Sequence, residues 1–162
     1  MNDYALKTGS DATNAATSSE RVAQIDPLTG LVRTRKRPYR ILVTGSRDWN
    51  DGNVVSEAML RATDHLGANR GGPVIIVVHG ACPTGADAIA DRYASMWGWR
   101  AESHPANWDD LGRSAGPLRN RHMVELGADV CLAFIKNASR GATHCARLAE
   151  KAGIPVRYWR EP

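Results

Sequence analysis

Residues Val74-Ile-Ile-Val-Val78 run directly into His79-Gly-Ala-Cys-Pro-Thr-Gly-Ala-Asp-Ala-Ile-Ala90. The apolar run is preceded by Gly71-Gly-Pro73 and followed by a glycine loop, so it reads as a strand buried on both faces. Ala86, Ile89, Ala90, Tyr93 and Trp97 then recur at helical spacing, and Gly98 ends the helix. A strand, a turn carrying Gly80 and Gly85, and a helix make one unit of a parallel α/β sheet. In such a unit the loop amides and the helix dipole favour an anion, so the expected ligand bears phosphate. A plain glycine-rich connector is the competing reading.

Spacing narrows the chemistry. Gly80 to Gly85 is G-x-x-x-x-G, the glycine spacing of a P-loop, but Ala86-Asp87 follows where such a loop needs Lys and then Ser or Thr. Without that lysine and hydroxyl nothing grips a terminal phosphate and its Mg²⁺, which argues against a triphosphatase. The dinucleotide fingerprint G-x-G-x-x-G is also missing, because Thr44-Gly-Ser-Arg-Asp48 has a single glycine.

The same alternation extends outward from this unit. Arg40-Ile-Leu-Val-Thr44 reads as the first strand, and Val55, Ala58, Met59, Ala62 and Leu66 mark one helix face. Trp99–His104 is a weaker third strand, and Pro105–Gly116 reads as irregular. Pro117 suits the first position of a helix reaching about Leu126. Val130–Ile135 is the fourth strand, and Ala142, Cys145, Ala146 and Ala149 line a last helix that Gly153 closes. Ile154–Tyr158 is the fifth, placed at a sheet edge by Pro155. The expected fold is a doubly wound parallel sheet of about five strands, order 3-2-1-4-5, with helices on both faces. Ligands in such sheets sit beyond the carboxyl ends of the strands where the order reverses, here between the first and fourth. The loops expected to meet there are Gly45–Asn50, His79–Asp87, the 105–120 segment and Lys136–Thr143.

This domain is expected over residues 38–162. Residues 1–37 read as a flexible tail of Ser, Thr, Ala, Asn and Asp ending in the basic run Arg33-Thr-Arg-Lys-Arg37, a solvated segment in preference to a phosphate-backbone contact. A length of 162 residues, 43% hydrophobic and 23% charged, is ordinary for one soluble domain. No run is long enough to span a membrane, and no charged-then-apolar leader opens the chain, so no membrane partner is expected. Cys82, Cys131 and Cys145 form no C-x-x-C pair, which argues against disulfides and structural zinc. The expectation is a cytoplasmic protein with no metal site. Residues 1–30 hold Lys7 and Arg21 against Asp3, Asp11, Glu20 and Asp26, a sum of −2, so the rest of the chain carries +6 toward the net +4. A basic body of this size permits an anionic small molecule or a nucleic acid.

Candidate site residues follow from the loops. Gly45, Ser46 and Arg47 leave the first strand, with Arg47 suited to clamp a phosphate or stack on a base. His79, Gly80, Gly85, Ala86 and Asp87 form the second turn. His79 reads more readily as a packed histidine than as a catalyst. Asp87 has two readings, a cap for helix amides or an acceptor for ribose hydroxyls. Gly116, Arg119 and Asn120 open the third helix, where an arginine at a positive dipole end invites an anion. Trp108 offers a stacking face or a packed side chain. Ser139, Arg140, Gly141 and Thr143 make a further strand-to-helix turn whose hydroxyls either meet phosphate or cap the helix. His144 and Cys145 are adjacent on a helix and form no nucleophile–base pair, and Asp109-Asp110 reads as solvated.

Taken together, Val43-Thr-Gly-Ser-Arg-Asp-Trp49, His79-Gly-Ala-Cys-Pro-Thr-Gly-Ala-Asp87, Ala115-Gly-Pro-Leu-Arg-Asn120 and Ser139-Arg-Gly-Ala-Thr-His144 resemble the YspA-like, cpYpsA-related branch of the SLOG superfamily. The resemblance spans residues 39–160. It implies a Rossmann-like fold that binds a nucleotide or a NAD- or ADP-ribose-like derivative, as a sensor or sequestering module of bacteria or phage. More distant similarity to Lonely Guy phosphoribohydrolases implies a second function, hydrolysis of an N-glycosidic bond. Those enzymes carry P-G-G-x-G-T-x-x-E, whereas this chain reads Ser139-Arg-Gly-Ala-Thr-His-Cys-Ala-Arg147, with no glutamate before Glu150. Asp87 is then the candidate catalytic carboxylate. Similarity to DNA-processing protein A implies a third function, single-stranded DNA binding, and dimers among SLOG relatives imply a homodimer.

Overall fold

The computed structural model describes residues 21–25, 32–67 and 72–162. β1 (Arg21–Ile25) and β2 (Val32–Lys36) pair as an antiparallel two-stranded sheet, with Ile25 opposite Val32. The rest alternates: β3 (Tyr39–Gly45), α1 (Gly52–Thr63), β4 (Ile75–His79), α2 (Gly85–Met96), β5 (Arg100–Ser103), α3 (Trp108–Leu111), α4 (Ala115–Glu125), β6 (Val130–Lys136), α5 (Arg140–Lys151) and β7 (Val156–Glu161).

β3 to β7 form a parallel five-stranded sheet in the order β5-β4-β3-β6-β7. This is the expected 3-2-1-4-5 winding. Every residue of β4 is buried, as a strand covered on both faces requires. Side chains alternate across the sheet. Ile41, Val43, Val77, Leu132 and Phe134 pack with Val55, Met59, Ala86, Ala90 and Ala94 from α1 and α2. Leu42, Ile76, Val78 and Cys131 face the other way, onto Met123 and Val124 of α4 and Cys145 and Ala149 of α5. The helices therefore cover both faces.

Three expectations change. Where a flexible tail is expected, β1 and β2 pair; each is a short segment holding Val or Ile, and Asp26-Pro27 and Gly30 between them are turn-type residues that the polar composition of the tail obscures. The rest of that expectation, residues 1–20 and 26–31, lies outside the described residues. The irregular stretch after Pro105 contains α3 and a 3₁₀ turn at Gly112–Ser114. Asn107 starts α3 by accepting the Asp110 amide at 3.4 Å. α4 begins at Ala115, not Pro117. Pro117 is tolerated because first-turn amides have no intrahelical acceptor. Pro155 directly precedes the edge strand β7, as expected.

Arg40 ties the start of β3 to β5. Its guanidinium grips Glu102 through two bonds of 2.9 and 2.7 Å, and Nε donates to the Gly127 carbonyl at 2.8 Å. The Arg40 hydrogen bonds hold the Glu102 carboxyl down to about 2, with help from His104 and against partial burial.

Candidate functional site

A cleft of about 790 Å³ opens at the carboxyl ends of β3, β4 and β6, where the sheet order reverses. Its size suits a small-molecule site. All four expected loops line it: Gly45 and Arg47 from the first, Gly80 and Asp87 from the second. Trp108, Gly116, Arg119 and Asn120 come from the third, and Ser139, Arg140 and Gly141 from the fourth. Ser46, His79, Gly85, Ala86 and Thr143 are not among the lining residues.

The 79–87 turn is closed on itself. His79 is buried, and its Nδ1 accepts the Ala81 amide at 3.2 Å. That bond assigns the proton to Nε2, which lies 3.1 Å from Asp91 Oδ1. The Gly80 and Cys82 amides donate to Asp87 Oδ2 at 3.0 and 3.4 Å. The Ala86 amide donates to the Ser46 carbonyl at 3.4 Å. These amides, expected to meet phosphate, are engaged by the protein's own acceptors. Gly80 and Gly45 are glycines because of close approach: a Cβ on Gly80 would strike the Arg119 guanidinium, and one on Gly45 would strike the Ala86 Cβ. Gly85 has φ +74°, and a Cβ there would lie 2.7 Å from the Arg47 Cα.

Asp87 is 4% exposed. Both of its hydrogen bonds reach Oδ2, so Oδ1 has no hydrogen-bond partner among the described residues. Among the described residues no fully buried side-chain polar atom lacks a partner, so Oδ1 keeps some exposure, and Asp87 lines the cleft. Burial pushes the Asp87 carboxyl up; His79, the Cys82 and Gly80 amides and the Arg119 charge oppose that shift.

Arg119 and Asn120 form the wall. Arg119 Nη1 donates to the Gly80 carbonyl and, at 3.2 Å, to the His104 carbonyl, while Nε donates to Asn120 Oδ1 at 2.9 Å. Asn120 Nδ2 donates to the Gly141 carbonyl at 3.2 Å. These two side chains join the second, third and fourth loops.

The β6–α5 turn differs. Asn137 and Ala138 have φ of 50° and 49°, a left-handed pair without glycine, and Ala81 has φ 55°. Such residues cost about 1–3 kcal/mol each and concentrate at functional sites. Ser46, a candidate site residue, clips this turn instead: its hydroxyl donates to the Lys136 carbonyl at 3.0 Å and accepts the Lys136 amide at 2.8 Å. The Thr143 hydroxyl turns back to the Ser139 carbonyl at 2.8 Å. The first-turn amides of Arg140, Gly141 and Ala142 have no partner among the described residues, and the Ser139 side chain does not cap them. A Cβ on Gly141 would meet only open space. This turn, with Arg140 and Arg47 exposed beside it, is the anion-favouring part of the cleft.

Trp108 stands at the mouth, 49% exposed, with the Arg47 guanidinium 6.0 Å from its ring centroid. A Cβ on Gly116 would lie 3.2 Å from the indole, so Gly116 seats it. Lining residues that sequence reasoning missed include Asp48, Cys82, Lys136, Asn137 and His144. Asn137 alone left a signal, as an Asn suited to positive φ just after a strand. The Lys136 ammonium is paired with Glu161 at 3.1 Å. Cys131 and Cys145 are buried, and burial pushes the Cys145 thiol up to about 11, so neither is a nucleophile.

No helix among the described residues is long and apolar enough to cross a membrane. No solved structure matches the chain. Gene 61 protein of Mycobacterium phage D29 is 48% identical over 124 residues, covering 72% of this chain and 93% of that protein. The family described as YspA, cpYpsA-related SLOG matches residues 39–110, which hold the first two turns of the cleft. With its sheet order, its cleft at the reversal and these similarities, the chain belongs to the YspA, cpYpsA-related SLOG family.

Proposed function

We propose that the cleft binds a nucleotide or a NAD- or ADP-ribose-like derivative, and that the protein acts as a sensor or sequestering module for it. The observation that carries this reading is the uncapped first turn of α5 opening into the cleft. Its amides at Arg140, Gly141 and Ala142 take a phosphate, with Ser139 as hydroxyl donor and Arg47 and Arg140 as charges. The base stacks on Trp108. Membership in a SLOG family supports a nucleotide-related ligand. The reading includes a cytoplasmic protein and a homodimer, the latter checked by light scattering.

Native mass spectrometry of freshly purified protein tests it, followed by a thermal-shift panel of nucleotides, NAD and ADP-ribose. A released phosphate-bearing molecule, or a shift with one of the panel, is expected. An empty protein that shifts with none of them overturns the reading.

A specific observation favours a second reading, hydrolysis of an N-glycosidic bond. Asp87 is a buried carboxyl with a raised pKa that lines the cleft, the kind of group that serves as general acid or base. Release of free base from the bound nucleotide by the unmutated protein, lost in Asp87→Asn, supports it. For single-stranded DNA the support is thinner. Trp49, Trp97, Trp99 and Trp159 pack on the core, which leaves Trp108 as the exposed stacking face among the tryptophans.

A further inference from the structure

Asp87 is a lining side chain that phosphate binding leaves without a role. The phosphate needs donors and positive charge, and Asp87 supplies an acceptor and negative charge. Oδ2 is saturated by the Gly80 and Cys82 amides. Arg119, whose charge acts on Asp87, directs its hydrogen bonds elsewhere, onto the Gly80 and His104 carbonyls and Asn120. Oδ1 therefore presents an unshared acceptor at the floor of a cleft whose rim is cationic. A carboxylate held there accepts hydrogen bonds from a ligand and disfavours a phosphate directly beside it. In a nucleotide the sugar lies between base and phosphate. With the base on the exposed Trp108 and the phosphate on α5, the part left to meet a floor residue is the sugar.

We infer that Asp87 Oδ1 reads the free hydroxyls of a ribose, so that the cleft takes ribonucleotides or ADP-ribose-like ligands and discriminates against deoxynucleotides. This rests on the nucleotide reading above. It makes Asp87 a specificity-determining residue whether or not the ligand is turned over. A bond from a hydroxyl to a buried carboxylate is among the stronger ones, so its loss reads as about tenfold or more in affinity.

The experiment is calorimetric titration of the whole chain with AMP, 2′-deoxy-AMP, 3′-deoxy-AMP and IMP, repeated on Asp87→Asn. In that variant the amide oxygen keeps the Gly80 and Cys82 amides while the NH₂ group turns a donor toward the cleft. AMP is expected to bind the unmutated protein about tenfold or more tighter than either deoxy form, and the variant is expected to lose that preference. Equal binding of ribo and deoxy forms by the unmutated protein overturns the inference and leaves the nucleotide reading standing. A preference for AMP over IMP that vanishes in the variant, with no sugar preference, assigns Oδ1 to a base amine and also overturns it. Binding of none of the probes overturns the inference for ribonucleotides, and the nucleotide reading is then decided by the wider panel that includes NAD and ADP-ribose. The comparison on the unmutated protein stands even if the variant fails to fold.

Discussion

The two strand-to-helix turns that face each other across the cleft have opposite uses for their backbones. The 79–87 turn is the conspicuous one in sequence, with two glycines at phosphate-loop spacing. Its amides at Gly80, Ala81 and Cys82 are consumed by Asp87 and His79, and its glycines answer to close contact with Arg119 and Arg47. The 136–143 turn has one glycine, and a Cβ added there would meet only open space. Yet it is this turn whose Arg140, Gly141 and Ala142, with amides unpartnered among the described residues, all line the cleft, and it holds two left-handed residues that are not glycine. Glycine in a loop thus marks where backbones and side chains must come close. An anion site needs amides with no other acceptor, which is a different condition.

Substitutions can break this comparison, and the largest effect is expected at Gly85. Gly85→Ala puts a Cβ into the Ser46–Arg47 backbone at positive φ, and a loss of about 3 kcal/mol or more is expected in chemical denaturation. A loss below about 1 kcal/mol would mean that the first turn is not tightly packed after all. Next comes charge beside the second turn. Arg140→Ala is expected to weaken nucleotide binding by about tenfold with little change in melting temperature, because Arg140 is exposed and acts on the ligand alone. A nucleotide affinity untouched by Arg140→Ala but abolished by a change at Cys82 would move the phosphate to the first turn.

The Asp87 carboxyl sharpens the comparison through pH. Its pKa is raised in the folded protein above the ordinary 3.8, so the folded state holds the proton more tightly than the unfolded one. Stability from this group is present below about 3.8 and is lost as pH climbs through the raised value. Asp87→Asn has no such titration. Its melting temperature is therefore expected to gain on that of the unmutated protein as pH rises from about 3.8 toward neutrality. A variant melting temperature that falls further behind that of the unmutated protein over that range would show that hydrogen bonds and nearby charge outweigh burial. The smallest effect is expected at Gly141→Ala, within about 0.5 kcal/mol of neutral, since the added methyl meets open space near a helix start. The contrast with Gly85→Ala is the direct measure of how differently the two turns use glycine.

Much of the fold was legible locally. Val74–Val78 and Val130–Ile135 are continuous apolar runs because both faces of those strands are covered, and the alanine stripe of α2 follows from its close approach to β3. α3 was missed because a one-turn helix carries no periodicity, and β1 and β2 because their Val and Ile lie within a polar tail. In the site, the loops were legible from the winding rule, but the roles of Ser46, His79 and Thr143 were not. Each has a side chain that can bond backbone or ligand equally well, and the choice depends on what the fold brings within 3 Å or so.

The sequence by itself determined the strand order, the helices on both faces and the end of the sheet where the loops gather. Those follow from periodicity and from the handedness of parallel connections, which are properties of the chain's local chemistry. Only the tertiary structure decided which amides remain open and that Asp87 turns one oxygen to its own loop and leaves the other without a hydrogen-bond partner among the described residues. Hydrogen-bond partners are settled by three-dimensional distance, and Gly80 meets Asp87, or Ser46 meets Lys136, only after the sheet has assembled.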